Sequence, residues 1–143
     1  MTESAATRFR RSNVAKHSPN QSLADVYTNI EAARGYVAGV SLIDFKANEE
    51  KQQAVLHRLQ TASEAATRLR NEWADHYERF AKKYPDVPWQ RFRGLGDRYR
   101  HGYDVIDLDL VWADLHGYLL DVQRALSTEL AFLKMSKNDE RDH

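Results

Sequence analysis

The chain has 143 residues, of which 42% are hydrophobic and 29% are charged, and its 21 basic residues balance 21 acidic residues. This length suits one domain with its own core, and the zero net charge excludes a protein that coats nucleic acid through overall positive charge. The absence of cysteine excludes disulfides and fits a cytoplasmic protein, and no hydrophobic run approaches the roughly 20 residues of a membrane span.

The beginning of the chain is polar and basic, without the apolar core of a secretory signal, so residues 1–21 are expected to form a flexible extension. The first helix is predicted over about 22–37, because Ser22 is a good N-cap and Asp25 completes a start like a capping box. Apolar residues follow at three- and four-residue steps and form one stripe. Gly39 is a suitable helix stop.

Two further helices are predicted in the middle of the chain, after a linker with three apolar residues (Leu42, Ile43 and Phe45). The second helix is expected over about 49–71, where apolar positions alternate steps of four and three, as in a helix packed at a shallow angle. Several of those positions are alanine, so a neighbouring helix can approach closely. The third helix, over about 73–83, ends at the sequence YPDVPW because each proline disfavours helix at the residue before it.

The last third of the chain predicts two more helices. One is expected to begin near Trp89, although the sequence GLG at 94–96 weakens it. The final helix should run over about 107–134, and the polar tail 135–143 should be disordered. No strand pattern of useful length is present. The sequence therefore predicts an all-α domain over residues 22–134, an antiparallel bundle of four to five helices.

The densest basic stretch of the expected domain is WQRFRGLGDRYRHGYD, residues 89–104. If it is helical, Asp97 and His101 lie one turn apart, where the carboxylate would orient the imidazole, and Arg98 could share their face. A neutral imidazole can take the proton of a ribose 2′-hydroxyl, and a guanidinium can stabilise the charge that develops on phosphorus. A solvated helix face with a histidine at its end is the simpler interpretation, and spacing alone favours it.

Other kinds of chemical site are not indicated by the sequence. The six histidines lack the spacing of metal ligands, and there is no phosphate-binding loop or nucleophile elbow. The GLG sequence follows no predicted strand, so it is not a dinucleotide fingerprint. We therefore expect neither a metal nor a cofactor.

Several short motifs follow one another in the second half of the chain: YPDVPW at 84–89, GLGD at 94–97, HGY at 101–103, and ID followed by VW at 106–112. Their order and spacing resemble those of the HepT-like proteins, a branch of the HEPN (higher eukaryotes and prokaryotes nucleotide-binding) superfamily. The stretches LADVYTNIEAARGYVAG and QQAVLHRLQTASEAATRL resemble the first two helices of that family. The resemblance extends over residues 23–130.

This resemblance implies a helical bundle that forms a homodimer and acts as a metal-independent endoribonuclease, the toxin of a toxin–antitoxin pair. The implied antitoxin is a minimal nucleotidyltransferase, which in some systems adds AMP to the tyrosine of the HGY motif. Carried over to this chain, His101 is the catalytic histidine and Tyr103 is the candidate modification site. We expect RNA to be bound by neighbours of His101 in the basic stretch (Arg91, Arg93, Arg100 and Tyr99).

The chain departs from the family's catalytic motif, in which an arginine precedes the histidine by four to six intervening residues. Gly96 stands where that arginine is usual, and Asp97 stands where an asparagine is usual. A phosphate-holding arginine contributes a few kcal/mol to a transition state, roughly a hundred-fold in rate. The departure therefore predicts weakened or lost cleavage.

Three functional hypotheses follow from the sequence. The first is an active toxin in which Arg98 or Arg100 replaces the missing arginine, with His101 and Asp97 completing the catalytic group. The second is an inactive homodimer that binds a nucleotidyltransferase partner, RNA or nucleotide. The third is a structural helical adaptor, which the resemblance makes the least favoured of the three.

Overall fold

The computed structural model describes residues 17–102 and 105–142, with side chains described as far as residue 136. These residues form eight helices and one antiparallel ribbon of two short strands, which confirms the predicted all-α fold. None of the described helices combines the length and apolar composition needed to cross a bilayer. The helices are Pro19–Tyr36 (α1), Leu42–Ala47 (α2), Glu49–Glu72 (α3), Ala74–Lys83 (α4), Trp89–Arg93 (α5), Leu95–Tyr99 (α6), Leu108–His116 (α7) and Tyr118–Asp142 (α8), and the strands are Arg100–His101 (β1) and Val105–Ile106 (β2).

The core lies between the three long helices, with α1 packed along α3 and α8 packed against α1. Ala62 and Ala66, two alanines of the apolar stripe of α3, are buried in this core. Small side chains let the helix backbones approach, and larger apolar residues fill the space on either side. The main buried residues are Leu23, Val26 and Ile30 of α1, Val55, Leu59 and Leu69 of α3, and Leu119, Val122 and Leu126 of α8.

Helix α1 begins one turn earlier than the sequence predicts. Its N-cap is Ser18, whose Oγ accepts a hydrogen bond from the backbone N–H of Gln21 at 3.1 Å. Pro19 occupies the first helical position, where its fixed φ suits a helix and its missing N–H is not needed. The predicted cap Ser22 is instead a buried residue inside the helix.

The segment expected to be a linker forms the short helix α2. Ser41 Oγ caps it by accepting from the backbone N–H of Asp44 at 3.1 Å. Phe45 is fully buried, and its ring packs against that of Trp112 with the ring centroids 5.5 Å apart. The helix forms because one good cap and one buried aromatic residue suffice to stabilise one and a half helical turns.

Both helices predicted in the last third of the chain are interrupted. The fourth breaks at Gly94 into α5 and α6, and the final one breaks at Gly117 into α7 and α8. Between them the chain forms the ribbon, in which Gly102 adopts a φ of 63° at the turn. Helix α8 continues to Asp142, so the tail that was expected to be disordered is helical up to that residue.

The break at Gly117 yields a prediction with a matched control. A Cβ at this position would lie 2.9 Å from the carbonyl oxygen of Ala113, which is too close without a backbone shift, whereas a Cβ at Gly35 of α1 would meet nothing within 4 Å. We expect Gly117→Ala to lower the free energy of unfolding by about 1–3 kcal/mol and Gly35→Ala to raise it by about 0.5–1 kcal/mol. Urea denaturation of both variants checks this, and a stabilising Gly117→Ala would contradict it.

Candidate functional site

His101 lies on the ribbon and pairs with an aspartate at the start of α7. Its Nε2 lies 2.9 Å from Oδ2 of Asp107, and the two side chains are 68% and 29% exposed. The sequence indicated Asp97 as the partner, on the condition that the segment is helical throughout. That condition fails because α6 ends at Tyr99, so the carboxylate that orients the histidine is Asp107.

Hydrogen bonds of its backbone and of its side chain fix the position of Asp107. Its backbone N–H donates to the carbonyl of Tyr99 at 2.7 Å, and its Oδ1 accepts from the backbone N–H of Leu110 at 3.0 Å, which caps α7. The hydrogen bond from His101, followed by that from Leu110, holds the pKa of Asp107 below the ordinary value for an aspartate. Asp107 is therefore a carboxylate at neutral pH, and its Oδ2 is placed to accept a hydrogen bond from Nε2–H of His101.

This pairing allows Nδ1, the other ring nitrogen of His101, to act as a base. In the neutral imidazole one nitrogen carries the proton and the other carries a lone pair. With Nε2–H donated to Asp107, the lone pair is on Nδ1, where it can accept a proton from a substrate hydroxyl. Because the ring is mostly exposed, a polymer lying on the protein surface can reach it.

The ribbon separates two faces of the molecule. Arg100 pairs with Ile106, and His101 pairs with Val105. Side chains alternate along a strand, so His101 and the 62% exposed Val105 lie on one face. Arg100 and Ile106 lie on the other face, where both line a cavity against α3. Arg100 therefore points away from the candidate catalytic histidine.

Arg91 is part of the internal structure. Its Nη2 donates to Oδ1 of Asp114 at 2.8 Å, and the Asp114 side chain is only 4% exposed. Its guanidinium also lies 4.5 Å from the ring centre of Tyr118. The structure therefore corrects the predicted RNA-binding role of Arg91 to a structural role. The residue neutralises a buried carboxylate and joins α5 to α7 and α8.

Tyr99 is buried beside the same carboxylate. Its side chain is 1% exposed, and burial, together with the charges around Tyr118 and Asp114, raises its pKa. Burial likewise raises the pKa of Tyr118 to about 12. The predicted binding of RNA by Tyr99 does not fit this structure, because the ring has no accessible face.

The other predicted site residues are dispersed. Arg93 donates from Nε to the hydroxyl of Tyr77 at 2.8 Å, whereas Arg98 and Arg100 are exposed and form no ion pair or hydrogen bond with the described residues. Asp97 is exposed on α6 and lines a small cavity on the α3 side. Tyr103, the candidate modification site, lies outside the described residues.

Gly96 faces α3 at close range. A Cβ on Gly96 would lie 2.6 Å from Oε1 of Gln60, and Gln60 donates from Nε2 to Oε1 of Glu64 at 3.1 Å. A side chain at position 96 therefore requires the flexible end of Gln60 to move. The place where an arginine was expected is partly filled by the Gln60 amide.

Asp107 is the functional residue that sequence reasoning missed. The signal was present, since an aspartate directly before an apolar helical stripe is a typical N-cap. The final helix was predicted to begin at this residue, but the pairing of Asp107 with His101 was missed because it depends on the ribbon, which no sequence pattern indicated. Among the described residues no group of three histidine, cysteine or acidic side chains could hold a metal ion.

The buried ion pair gives a stability prediction. Arg91→Ala leaves the Asp114 carboxylate without its counter-charge in an apolar setting, and we expect a loss of about 3 kcal/mol of unfolding free energy. This is the lower end for a buried pair because the Arg91 side chain is 36% exposed. Arg124→Ala, at an exposed arginine of α8, should change the free energy of unfolding by less than about 0.5 kcal/mol. If the two variants lower the melting temperature equally, Arg91 does not form the buried ion pair assigned to it.

Asp107 gives a pH-dependent prediction. Its pKa is lowered on folding, so its carboxylate stabilises the fold above the unfolded value of about 4, and this contribution is lost as pH falls through the folded value. We expect Asp107→Ala to lower the melting temperature more than Asp107→Asn, because asparagine can still cap α7. The difference in melting temperature between the wild type and Asp107→Asn should shrink between pH 6 and pH 3. A difference that stays constant over this range would contradict an ionic role for Asp107.

Comparison with known proteins identifies the family. A sequence model of the family described as "Ribonuclease HepT-like" matches residues 26–129. A protein of Methanocaldococcus jannaschii named "Putative RNase MJ0127" is 28% identical over 90 residues, covering 63% of this chain and 69% of that protein. A second, "Putative RNase MJ1380", is 29% identical over 92 residues, covering 62% and 78%. No solved structure matches. Since the family match spans more than half of the chain, this protein belongs to the HepT-like ribonuclease family.

Proposed function

We propose that the protein is a metal-independent endoribonuclease in which His101 is the general base. The observation that carries this proposal is the His101–Asp107 pair, an exposed imidazole oriented by a carboxylate at 2.9 Å, in a chain of the HepT-like ribonuclease family. An oriented, accessible imidazole is the group that activation of a ribose hydroxyl requires. The names of the two curated relatives support RNA as the substrate class.

The proposed reaction is an internal transfer at one phosphodiester. Nδ1 of His101 takes the proton of the 2′-hydroxyl, and the 2′-oxygen attacks the adjacent phosphorus. The bond from phosphorus to the 5′-oxygen breaks, and that oxygen takes a proton from water. Asp107 stabilises the imidazolium that forms, and Arg98, which is exposed and unpaired among the described residues, supplies positive charge to the phosphorane.

The cellular role that we propose is that of a toxin in a toxin–antitoxin pair in the cytoplasm. Its partners are a second copy of the chain and a minimal nucleotidyltransferase, which would modify Tyr103. The family membership supports this role. A homodimer would duplicate Arg98 and Arg100 around one RNA strand, and so concentrate positive potential in a chain of zero net charge.

A specific observation favours a second candidate function, an inactive homodimer that binds its partner, RNA or nucleotide. Position 96 carries no arginine, and the nearby Arg91 and Arg93 are engaged with Asp114 and Tyr77. The charge available to stabilise a phosphorane is therefore limited to exposed side chains, which water screens. Loss of a buried, oriented guanidinium would reduce cleavage roughly a hundred-fold or more.

The test is cleavage of a defined RNA by purified protein in excess EDTA. We expect weak wild-type cleavage that is lost in His101→Ala, because the general base is removed. Gly96→Arg should increase cleavage if the Gln60 amide moves aside. Gly94→Arg is the matched control, since it adds the same charge two residues away, where a Cβ meets only the Gln90 carbonyl oxygen at an ordinary 3.7 Å.

Each outcome separates the two candidate functions. Wild-type activity that requires His101 supports the nuclease and makes Arg98→Gln the next variant. If the wild type does not cleave RNA and Gly96→Arg alone does, the protein is an inactive relative with an intact scaffold. If no variant cleaves RNA, or if Gly94→Arg increases cleavage as much as Gly96→Arg, the proposed geometry of cleavage is contradicted.

A further inference from the structure

One internal cluster takes a side chain from each of the last four helices, namely Arg91, Tyr99, Asp114 and Tyr118. Arg91 is bound to Asp114 at 2.8 Å, and its guanidinium lies 4.5 Å from the ring centre of Tyr118. Burial raises the pKa of Tyr99, and the charges of the adjacent Tyr118 and Asp114 raise it further. The four side chains are therefore neighbours at one place in the interior.

Four polar atoms of this cluster are buried and form no hydrogen bond with the described residues. They are Nε of Arg91, Oδ2 of Asp114 and the hydroxyl oxygens of Tyr99 and Tyr118. A buried polar atom without a partner destabilises a fold, so nearly all such atoms in proteins are bonded to protein or to ordered water. Four of them on neighbouring side chains indicate a shared partner.

The donors and acceptors of these four atoms match those of one water molecule. Nε–H of Arg91 can only donate a hydrogen bond, and a carboxylate oxygen of Asp114 can only accept one. Each tyrosine hydroxyl can do either. A buried water makes up to four hydrogen bonds, so it can accept from Arg91 and Tyr99 and donate to Asp114 and Tyr118. One water therefore satisfies all four atoms.

Tyr99 connects this cluster to the ribbon. It is the last residue of α6 and directly precedes Arg100 of β1. Its carbonyl accepts from the backbone N–H of Asp107 at 2.7 Å, whereas its ring is 1% exposed. The backbone of Tyr99 thus closes the ribbon, and its side chain is fixed in the interior.

Helix α7 carries both ends of this connection. Asp107 caps its first turn and holds His101 at 2.9 Å, and Asp114 lies about two turns further along the same helix. Because the helix is a rigid spacer, movement of Tyr99 relative to Asp114 also moves the strand of His101 relative to Asp107. The ribbon has two residue pairs, which are too few to hold its position alone.

We propose that one internal water joins Arg91, Tyr99, Asp114 and Tyr118, and that through it Tyr99 acts as a positioning residue for His101. Tyr99 does not touch RNA, because its side chain is buried. It holds the start of β1 where the imidazole meets its carboxylate. The water site is independent of the proposed nuclease activity, whereas its value for catalysis rests on that proposed function.

A high-resolution crystal structure of the wild type tests the water site. We expect one density peak within hydrogen-bonding distance of the Tyr99 hydroxyl and of Oδ2 of Asp114. A direct hydrogen bond between these two groups, with no water beside them, would overturn the site. This measurement needs no variant, so it does not depend on the stability of a substituted protein.

A carbon-13 titration of the Asp107 carboxyl tests the positioning role. The hydrogen bond from His101 is the main cause of the lowered pKa of Asp107, so this pKa reports the pairing. Tyr99→Phe keeps the ring and removes the hydroxyl, and we expect the Asp107 pKa to rise toward its ordinary value, as in His101→Ala. Tyr84→Phe is the matched control, because it removes a hydroxyl that bonds to Glu129 at 3.1 Å, away from the ribbon.

The results separate this inference from the proposed nuclease activity. Tyr118→Phe removes another partner of the water and should raise the Asp107 pKa less than Tyr99→Phe. The positioning role is overturned if neither variant raises this pKa, or if Tyr84→Phe raises it equally, whether or not RNA is cleaved. If the protein cleaves RNA, Tyr99→Phe should lower kcat about ten-fold with KM unchanged, because the base is less well oriented while the RNA contacts remain. Water and a raised pKa without cleavage support this inference and contradict the nuclease.

Discussion

The hydrogen bonds of Asp107 are the constraint on which the candidate site depends. Its backbone N–H closes the ribbon on Tyr99, its Oδ1 begins α7, and its Oδ2 holds His101. One residue thus ends an irregular segment, starts a helix and orients an imidazole. A histidine on a two-residue strand with 68% of its side chain exposed would otherwise sample many rotamers, which would remove the orientation that general base catalysis needs.

A second constraint lies between α5 and α7, where Asp114 is withdrawn from solvent. A buried carboxylate requires a counter-charge, and Arg91 supplies it at 2.8 Å. This requirement removes positive charge from the part of the surface near the basic stretch. Of the four arginines between Trp89 and His101, Arg91 is bound to a buried acid and Arg93 to a tyrosine hydroxyl. Only Arg98 and Arg100 are exposed and form no ion pair or hydrogen bond within the described part of the chain. The ribbon directs Arg100 to the face opposite His101.

Gly96 is a third constraint, at the place where the arginine of the family's motif is missing. Without that guanidinium, the case for efficient cleavage at His101 is weaker. A Cβ at this position would lie 2.6 Å from Oε1 of Gln60, and the Gln60 amide is held by its hydrogen bond to Glu64. A side chain at position 96 therefore requires this amide to move.

The sequence by itself determined the helical class, the long helix α3, the end of α4 before the prolines and the location of the basic stretch, since these follow from apolar periodicity and local backbone preference. Gly39 lies just past α1 with a φ of 73°, as expected of a residue near a helix end. His101 and its motif were also recognised from the sequence, through the resemblance to the family that residues 26–129 match. Local patterns are sufficient for such features because each depends on a few neighbouring residues.

The tertiary structure alone decided which side chains meet. The ribbon at 100–106 has only two residues in each strand, too few for any periodicity, and it forms because α6 ends and Asp107 can bond back to Tyr99. That hairpin replaced the helical pairing of Asp97 with His101 by the pairing of Asp107 with His101. Asp114 helps to raise the pKa of Tyr99 and holds Arg91, although it lies 15 and 23 residues further along the chain. Contacts between residues so far apart are set by packing, which a linear pattern does not encode.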